Sequence, residues 1–318
     1  MEDRKKIILD CDPGMDDSMA IVMAAKSEKI DLLAVTTVNG NYPAEVTSTN
    51  ARKILELIDR TDIPVAKGMS EPMVRPVAKD PFTHGTDGLA NANLKEPEMR
   101  LSEKHAVNLI IDLVKAHPHE VTLVCTAPLS NVAMALKLAP EIKPLIKEIV
   151  AISGAFGLNQ ASFLNATGDT PQSEWNVYVD PEASKIVYES GIPLKAIGLD
   201  IATYFNVDFS DDDIKSFESS AKKEAKFIAN AIHFVKGNGY GAYCTCIDCM
   251  ALACVIDESL IKFDKALVSV ITDDGPCLGM TVRDGRHHHI WKNLPQVDIA
   301  VDADYQGFLN LLKDLLLA

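Results

Sequence analysis

The stretch Lys6-Ile7-Ile8-Leu9-Asp10-Cys11-Asp12-Pro13-Gly14-Met15-Asp16-Asp17 decides how the chain is read. A short apolar run ends on two aspartates, Pro-Gly turns the chain, and a helix-period pattern then runs from Asp16 to Lys26. The same unit recurs further along. Leu32–Val38 reads as a strand followed by a helix to Asp59. Val121–Thr126 reads as a strand, with Ser130 placed to cap a helix reaching Leu138. Ile149–Ser153 and Leu194–Asp200 are further apolar strands, and Asp180–Glu189 and Asp211–Lys236 read as helices. Near the end, Ala266–Thr272, Met280–Arg283 and Val297–Val301 are strand-like. An Asp-Gly turn signal at Arg283–Arg286 suggests an antiparallel pair there, and a last helix covers Tyr305–Leu317. The segment from Pro72 to Arg100 is poorly periodic and reads as loop. Strands alternating with helices predict an α/β protein with an open, mainly parallel, mixed central sheet and helices on both faces. No repeat or composition shift marks a boundary, so a single domain over 1–318 is expected.

Composition narrows the class. Of 318 residues, 47% are hydrophobic and 24% charged, as in ordinary globular proteins. The net charge of −14 argues against a nucleic-acid surface, which needs a basic footprint. No apolar run is long enough to span a bilayer. The opening Met1–Lys6 is charged and lacks the apolar core of a signal peptide. Seven cysteines, an odd number in a chain this long, argue against a disulfide framework and point to a reducing cytoplasm.

The aspartates carry the chemistry. Asp10 and Asp12, two apart, share one face of the first strand at its carboxyl end, where open α/β sheets place their ligands. Asp16 and Asp17 begin the helix beyond the turn. One of the latter pair can serve as a helix cap, but capping does not explain two aspartates on an apolar strand end. Four carboxylates held together raise one another's pKa, a cost that a hard divalent cation removes. Calcium, which accepts carboxylates, carbonyls and water, suits such a site better than geometrically stricter magnesium.

The segment resembles the Asp-x-Asp-Pro-Gly-x-Asp-Asp signature of the inosine/uridine-preferring nucleoside hydrolases, and the resemblance extends over nearly the whole chain. Thr36–Asn41, His84–Leu89 and Thr126–Asn131 are similar to three further motifs of that family, and Glu174-Trp175-Asn176, Asp180–Ala183 and Gly198-Leu199-Asp200 to three more. The resemblance implies the family's Rossmann-like fold and calcium-dependent hydrolysis of ribonucleosides, purine or pyrimidine, to ribose and free base, as in nucleoside catabolism or salvage. It implies calcium held by Asp12, Asp17, the main-chain carbonyl of Thr126, and Asp248. Ribose would be held by Asp16, Asn41, Glu174, Asn176 and Asp248, with Asp10 supporting the metal site from behind. It also implies a homodimer or homotetramer. Asp12 is then placed to act as general base toward water, and negative charge stabilises the oxocarbenium-like transition state.

Two departures from the family pattern stand out. The histidine that precedes the late aspartate and helps protonate the leaving base is Ile247 here, leaving Tyr240, Tyr243, Cys244, Cys246 and His233 as nearby donors. Before Glu174, Gly168-Asp169-Thr170-Pro171 is one residue shorter than the family's segment, with Asp169 or Asn165 as candidates to reach the 5′-hydroxyl. Rival readings are a non-catalytic nucleoside or ribose binder and an aspartate-based phosphatase, which Pro13-Gly14 and the Asp16-Asp17 pair fit poorly. Cys244-x-Cys246-x-x-Cys249 lacks a second pair with zinc spacing. His287–His289 reads as an exposed loop, and His84 as structural.

Overall fold

The computed structural model describes residues 4–78 and 83–318; parts of the charged opening segment and of the Pro72–Arg100 stretch lie outside the described residues. Nine strands form one sheet: β1 (Lys5–Cys11), β2 (Ile30–Thr37), β3 (Val65–Lys67), β4 (Thr122–Cys125), β5 (Glu148–Ile152), β6 (Leu194–Ile197), β7 (Ile261–Val270), β8 (Thr281–Arg283) and β9 (Gln296–Ala303). Their spatial order is β3-β2-β1-β4-β5-β6-β9-β7-β8. Strands from β3 to β9 in that order run parallel, while β7 is antiparallel to both of its neighbours. This is the mixed, mainly parallel α/β sheet that the sequence predicts.

Alternation along β1 shows why the sheet is buried on both sides. Ile7, Leu9 and Cys11 enter one apolar core, and Ile8 enters the other across the sheet. The first core holds the helices Met15–Lys26 and Cys249–Ile256; the second holds apolar residues from the helices Ala106–Ala116, Ser130–Leu138 and Pro181–Tyr188. The chain leaves β1 toward β2 and β3, then returns to β4 on its other side. The crevice at the carboxyl ends of β1 and β4 is therefore the topological switch point of the sheet, where such folds bind ligands.

Several boundaries differ from expectation for physical reasons. Leu129, not Ser130, occupies the cap position of the helix Ser130–Leu138, because the Ser130 hydroxyl donates to Asp180 at 2.6 Å. Asp211–Lys236 is two helices, Asp211–Ser219 and Lys223–Gly237. A box in which Ser210 and Asp213 cap each other starts the first of them. Asp200 lies in a short helix past β6; its carboxylate accepts Phe156 N–H at 2.7 Å, Leu158 N–H at 2.7 Å and the Ser162 hydroxyl. The antiparallel β7–β8 pair is present, but residues 271–280 join it. Asp284-Gly285 instead leads out of β8, with Asp284 accepting from Arg286 and from Trp291 N–H. Strand β3 and the helices Ala106–Ala116 and Cys249–Ile256 had no place in the sequence reading. β3 is only three residues long, and the helix Cys249–Ile256 is apolar all round, so it shows no amphipathic period.

Asp180 ties three segments near the site. It caps the helix Pro181–Tyr188 through Ala183 N–H at 3.0 Å and accepts from Ser130 Oγ and, at 2.9 Å, from Met73 N–H. Asp180→Ala removes the cap and leaves two buried donors unpaired. Equilibrium denaturation is expected to show a loss of roughly 2–4 kcal/mol.

Candidate active site

The end of β1 delivers its aspartates into the switch-point crevice. Asp10, the sixth residue of the strand, turns its Oδ1 to Thr36 Oγ1 at 2.6 Å and to Asn131 Nδ2 at 2.8 Å. Its Oδ2 has no partner, and burial pushes its pKa up to about 6. Asp10 thus braces β1, β2 and the helix Ser130–Leu138 behind the site. Asp12 lies one residue past the strand. Its Oδ2 accepts Asn41 N–H at 2.6 Å, and its Oδ1 is buried without a partner. That close approach requires glycine at position 40, where a Cβ would sit 1.9 Å from Asp12 Oδ2.

Asp17 is both cap and site residue. Its Oδ2 accepts Gly14 N–H at 3.1 Å and Asn41 Nδ2 at 3.4 Å. Its Oδ1 accepts Thr126 Oγ1 at 2.8 Å and Asp12 N–H at 3.2 Å. Asp248 enters from the far end of the chain, at the start of the buried helix Cys249–Ile256. Ligand oxygens of Asp16, Asp17 and Asp248 lie within 4.8 Å of one another, the only group with metal-holding spacing found among the described residues. The tightest carboxylate group thus includes Asp16, which the sequence reading assigns to ribose. Asp12 adjoins the group through Asp17. The Thr126 carbonyl accepts Asn176 Nδ2 at 3.0 Å, which leaves it one lone pair.

Electrostatics gives this crowding a cost. Burial, and then the charge of Asp17, hold the Asp12 carboxyl well above its ordinary range. Burial and then Asp16 and Asp17 do the same to Asp248. Burial pushes Asp16 to about 6, partly offset by nearby His84. Unpartnered oxygens on the neighbouring Asp12 and Asp16 are the donor set that a hard divalent cation fits. The acidic cluster can hold a metal ion.

Above these carboxylates lies a cavity of about 440 Å³. Asp16, Asn41, Thr126, Glu174, Asn176 and Asp248 all line it, so the structure brings together nearly every residue that the sequence singled out. Asp10, Asp12 and Asp17 are buried beneath it. Glu174 caps the helix Trp175–Val179, accepting from the N–H groups of Asn176, Val177 and Gly154, and burial raises its pKa to about 7. The Asn176 side-chain amide donates to the carbonyls of Thr126 and Ile152, and the Asn41 amide to Asp12 O and Asp17. Among the described residues nothing donates to the Oδ1 of either asparagine, so both can accept.

The departures resolve unevenly. Ile247, Tyr240, Tyr243 and Cys244 line the cavity. Cys246 is fully buried with its thiol on the Tyr243 carbonyl, and His233 pairs with Glu218 at 2.6 Å on the exposed side of its helix. Asn165 lines the cavity, whereas Asp169 takes the Tyr178 hydroxyl at 3.2 Å outside it. Trp175 also forms part of the wall. His84 is more than structural: it lines the cavity, its Nδ1 accepts Met15 N–H at 3.4 Å, and it stands 3.7 Å from Asp16 Oδ1. A histidine beside a glycine turn gave no periodic signal by which to place it. His287–His289 are exposed, as expected for a loop.

Comparison with known proteins agrees with this geometry. Residues 7–310 match the family model described as inosine-uridine preferring nucleoside hydrolase. The pyrimidine-specific ribonucleoside hydrolase RihA of Shigella boydii is 35% identical over 315 residues, covering 98% of this chain and 97% of that protein. Uridine nucleosidase 1 of Arabidopsis thaliana is 33% identical over 97% of this chain and 92% of its own length. Among solved structures, a plant nucleoside hydrolase superposes with a TM-score of 0.87 at 30% identity, over 99% of this chain and all of its own. A purine-preferring ribonucleoside hydrolase from Gardnerella vaginalis gives 0.85 at 29%, over 98% of both chains. With its carboxylates gathered under one cavity and the match running through the whole sheet, the chain belongs to the inosine-uridine preferring nucleoside hydrolases, enzymes that are N-glycosidases.

Proposed function

We propose that this chain hydrolyses ribonucleosides with calcium bound, through water deprotonated by Asp12. The observation that carries the reading is the buried group of Asp16, Asp17 and Asp248 beside the unpartnered Asp12 Oδ1, directly under a cavity lined by sugar-binding residue types. Asp12, Asp17, Asp248 and the Thr126 carbonyl would hold the ion, with Asp16 at its margin. When bound, a divalent cation neutralises the clustered carboxylates and acidifies a water.

The protein's own groups do the rest. Ribose hydroxyls are donors, and the acceptors offered to them are the carboxylates of Asp16, Glu174 and Asp248 and the free amide oxygens of Asn41 and Asn176. Asp12, held by the Asn41 N–H on one oxygen, keeps the other free to take a proton from water. Positive charge that develops on the sugar as the bond to the base breaks faces a wall of carboxylates. In the same lining, burial pushes Tyr243 to about 12 and Cys244 to about 11, so both keep their protons and can donate toward a departing base where Ile247 cannot. Among the described residues the cavity lining contains no Lys or Arg, which supports a neutral nucleoside over the phosphorylated substrate of a phosphatase. All seven cysteines are free and no helix of the described residues is long and apolar enough to cross a membrane, which supports the cytoplasmic reading.

Reducing-sugar release from a panel of nucleosides with calcium present tests the reading; no release from any of them overturns it. Asp12→Asn is expected to lower kcat by roughly 10²–10⁴-fold while the protein remains folded. Near-normal turnover in that variant would reassign the base.

Metal removal gives an independent readout. Chelation is expected to lower the melting temperature, and added calcium to restore it in a concentration-dependent way, since the ion binds the folded state alone. A melting temperature indifferent to both treatments would remove the ion from the site.

Glu174 supplies a pH signature. Its folded pKa of about 7 is above the ordinary 4.5, so the stability it contributes is full below about 4.5 and is lost as pH rises through 7. Glu174→Gln is therefore expected to flatten the fall in melting temperature between pH 5 and pH 8 relative to the parent chain. Parallel profiles for the two proteins would contradict the assignment.

A further inference from the structure

We propose that Asp87 and Asn50, neither of which lines the cavity, act through His84 to fix the direction of the Asp16 carboxylate, and that the preference for a ribonucleoside over its 2′- or 3′-deoxy analogue depends on both. The proposal rests on the hydrolase reading above, in which Asp16 meets a ribose hydroxyl, and assigns positioning residues to that contact.

Asp16 needs such support. Its Oδ1 is buried without a hydrogen-bond partner, so no bond sets the direction of that oxygen. The group that confronts it is the His84 imidazole, whose Nδ1 stands 3.7 Å away. The ring is seated on the acidic turn itself. Nδ1 accepts Met15 N–H at 3.4 Å, and a Cβ on Gly14 would lie 2.6 Å from that nitrogen. The imidazole therefore occupies space that only glycine at position 14 leaves open.

His84 belongs to no helix or strand, so the bonds of the loop 84–93 set its place. Asp87 is the centre of that loop. Its Oδ1 accepts the N–H groups of Leu89 at 2.8 Å and Asn91 at 2.9 Å, and its Oδ2 that of Asn93 at 3.0 Å. These bonds hold Ala90, Asn91 and Asn93 in left-handed backbone, at φ of 54°, 55° and 51°, a region that residues with a side chain avoid. The reversed turn brings Ala90 N–H back to the His84 carbonyl at 2.9 Å. Strain of this kind persists where the surroundings over-determine it, and here it places one histidine.

Asn50 joins the loop to the acidic turn. It is 1% exposed, and its Nδ2 donates to Pro13 O at 3.1 Å and to Asp87 O at 3.0 Å. One amide thus ties the segment between Asp12 and Asp16 to the loop that carries His84. Glycine at position 88 leaves room for it, since a Cβ there would lie 2.8 Å from Asn50 Nδ2. The Tyr42 hydroxyl donates to Gly85 O, and Asn230 Nδ2 donates to Ala90 O at 3.1 Å, which fastens the loop on two further sides. A carboxylate free to turn meets a ribose hydroxyl in only a fraction of its orientations; one held still is already aimed.

The test uses the full chain at saturating calcium chloride. It measures kcat/KM for base release from uridine, adenosine and their 2′-deoxy and 3′-deoxy forms, with the melting temperature of each variant. A site built to bond a hydroxyl rejects the analogue lacking it, so the parent chain is expected to prefer the ribonucleoside over at least one deoxy form by roughly a hundredfold or more. His84→Ala, Asp87→Ala and Asn50→Ala are each expected to lower that preference by roughly tenfold. The double variant His84→Ala/Asp87→Ala is expected to fall no further than His84→Ala alone, because both changes remove one effect. Asn50→Ala in place of Asp87→Ala repeats that comparison should the loop variant not fold. Asp87→Asn, whose amide oxygen can still take the N–H groups of Leu89 and Asn91, is expected to recover the preference to within about threefold of the parent chain. Equal proportional losses on ribo- and deoxyribonucleosides would make these residues merely structural and overturn the proposal. So would losses that add in the double variant, or an unchanged preference in His84→Ala, which leaves the loop's own bonds in place. Failure of the parent chain on every substrate would instead overturn the hydrolase reading, and this one with it.

Discussion

Like charge held together out of water is the constraint on which this structure turns. Asp12, Asp16, Asp17 and Asp248 are each at most 8% exposed, and burial together with neighbouring negative charge disfavours the ionised forms of Asp12, Asp16 and Asp248. The fold answers with fixed donors rather than counter-ions. Gly14 N–H, Asp12 N–H, Asn41 N–H and the Thr126 hydroxyl all point at carboxylate oxygens. Among the described residues, no lysine or arginine lines the cavity above them. Donors without full charges orient the carboxylates but leave the net negative charge uncompensated, and that residue of charge is what a divalent cation and a developing sugar cation can both use.

The remaining architecture can be read as support for that arrangement. The switch between β1 and β4 opens the crevice, and Asp10 locks its floor through Thr36 and Asn131. Glycine at position 40 lets the main chain close over Asp12. Asp180 and Asp200 hold the surrounding segments by accepting main-chain N–H groups. Buried carboxylates therefore serve two purposes in one protein. Asp180 and Asp200, with both oxygens hydrogen-bonded, stiffen the frame, while Asp12 and Asp16 each keep an unpartnered oxygen at the working site.

Much of this was legible in the sequence, because the strand-turn-helix unit and its aspartates are local features. The mixed parallel sheet followed from apolar runs alternating with helical periods. Asp12, Asp17, Asn41, Glu174, Asn176 and Asp248 were singled out by motif, and all meet at or beneath one cavity. What escaped depends on tertiary neighbours. Which of Asp12 and Asp16 sits closest to Asp17 and Asp248 is set by side-chain direction after the turn, not by spacing. The role of Ser130 changed because Asp180, distant in sequence, competes for its hydroxyl. Of two candidate residues before Glu174, Asn165 reached the cavity and Asp169 did not, since Tyr178 draws Asp169 outward. His84 reaches the site on a loop with no periodic signature.

Asp248 sits near the far end of the chain from its partners, and this has a consequence for biogenesis. During synthesis, Asp12, Asp16 and Asp17 emerge early, but the helix that brings Asp248 to them is made only after β1 through β6. The nascent chain thus lacks one carboxylate of the cluster until late in translation, and an early-folding amino-terminal half would expose an incomplete, self-repelling pocket. A metal ion held by Asp16, Asp17 and Asp248 would then be captured only after the helix Cys249–Ile256 has been made, which would couple loading of the site to late steps of folding.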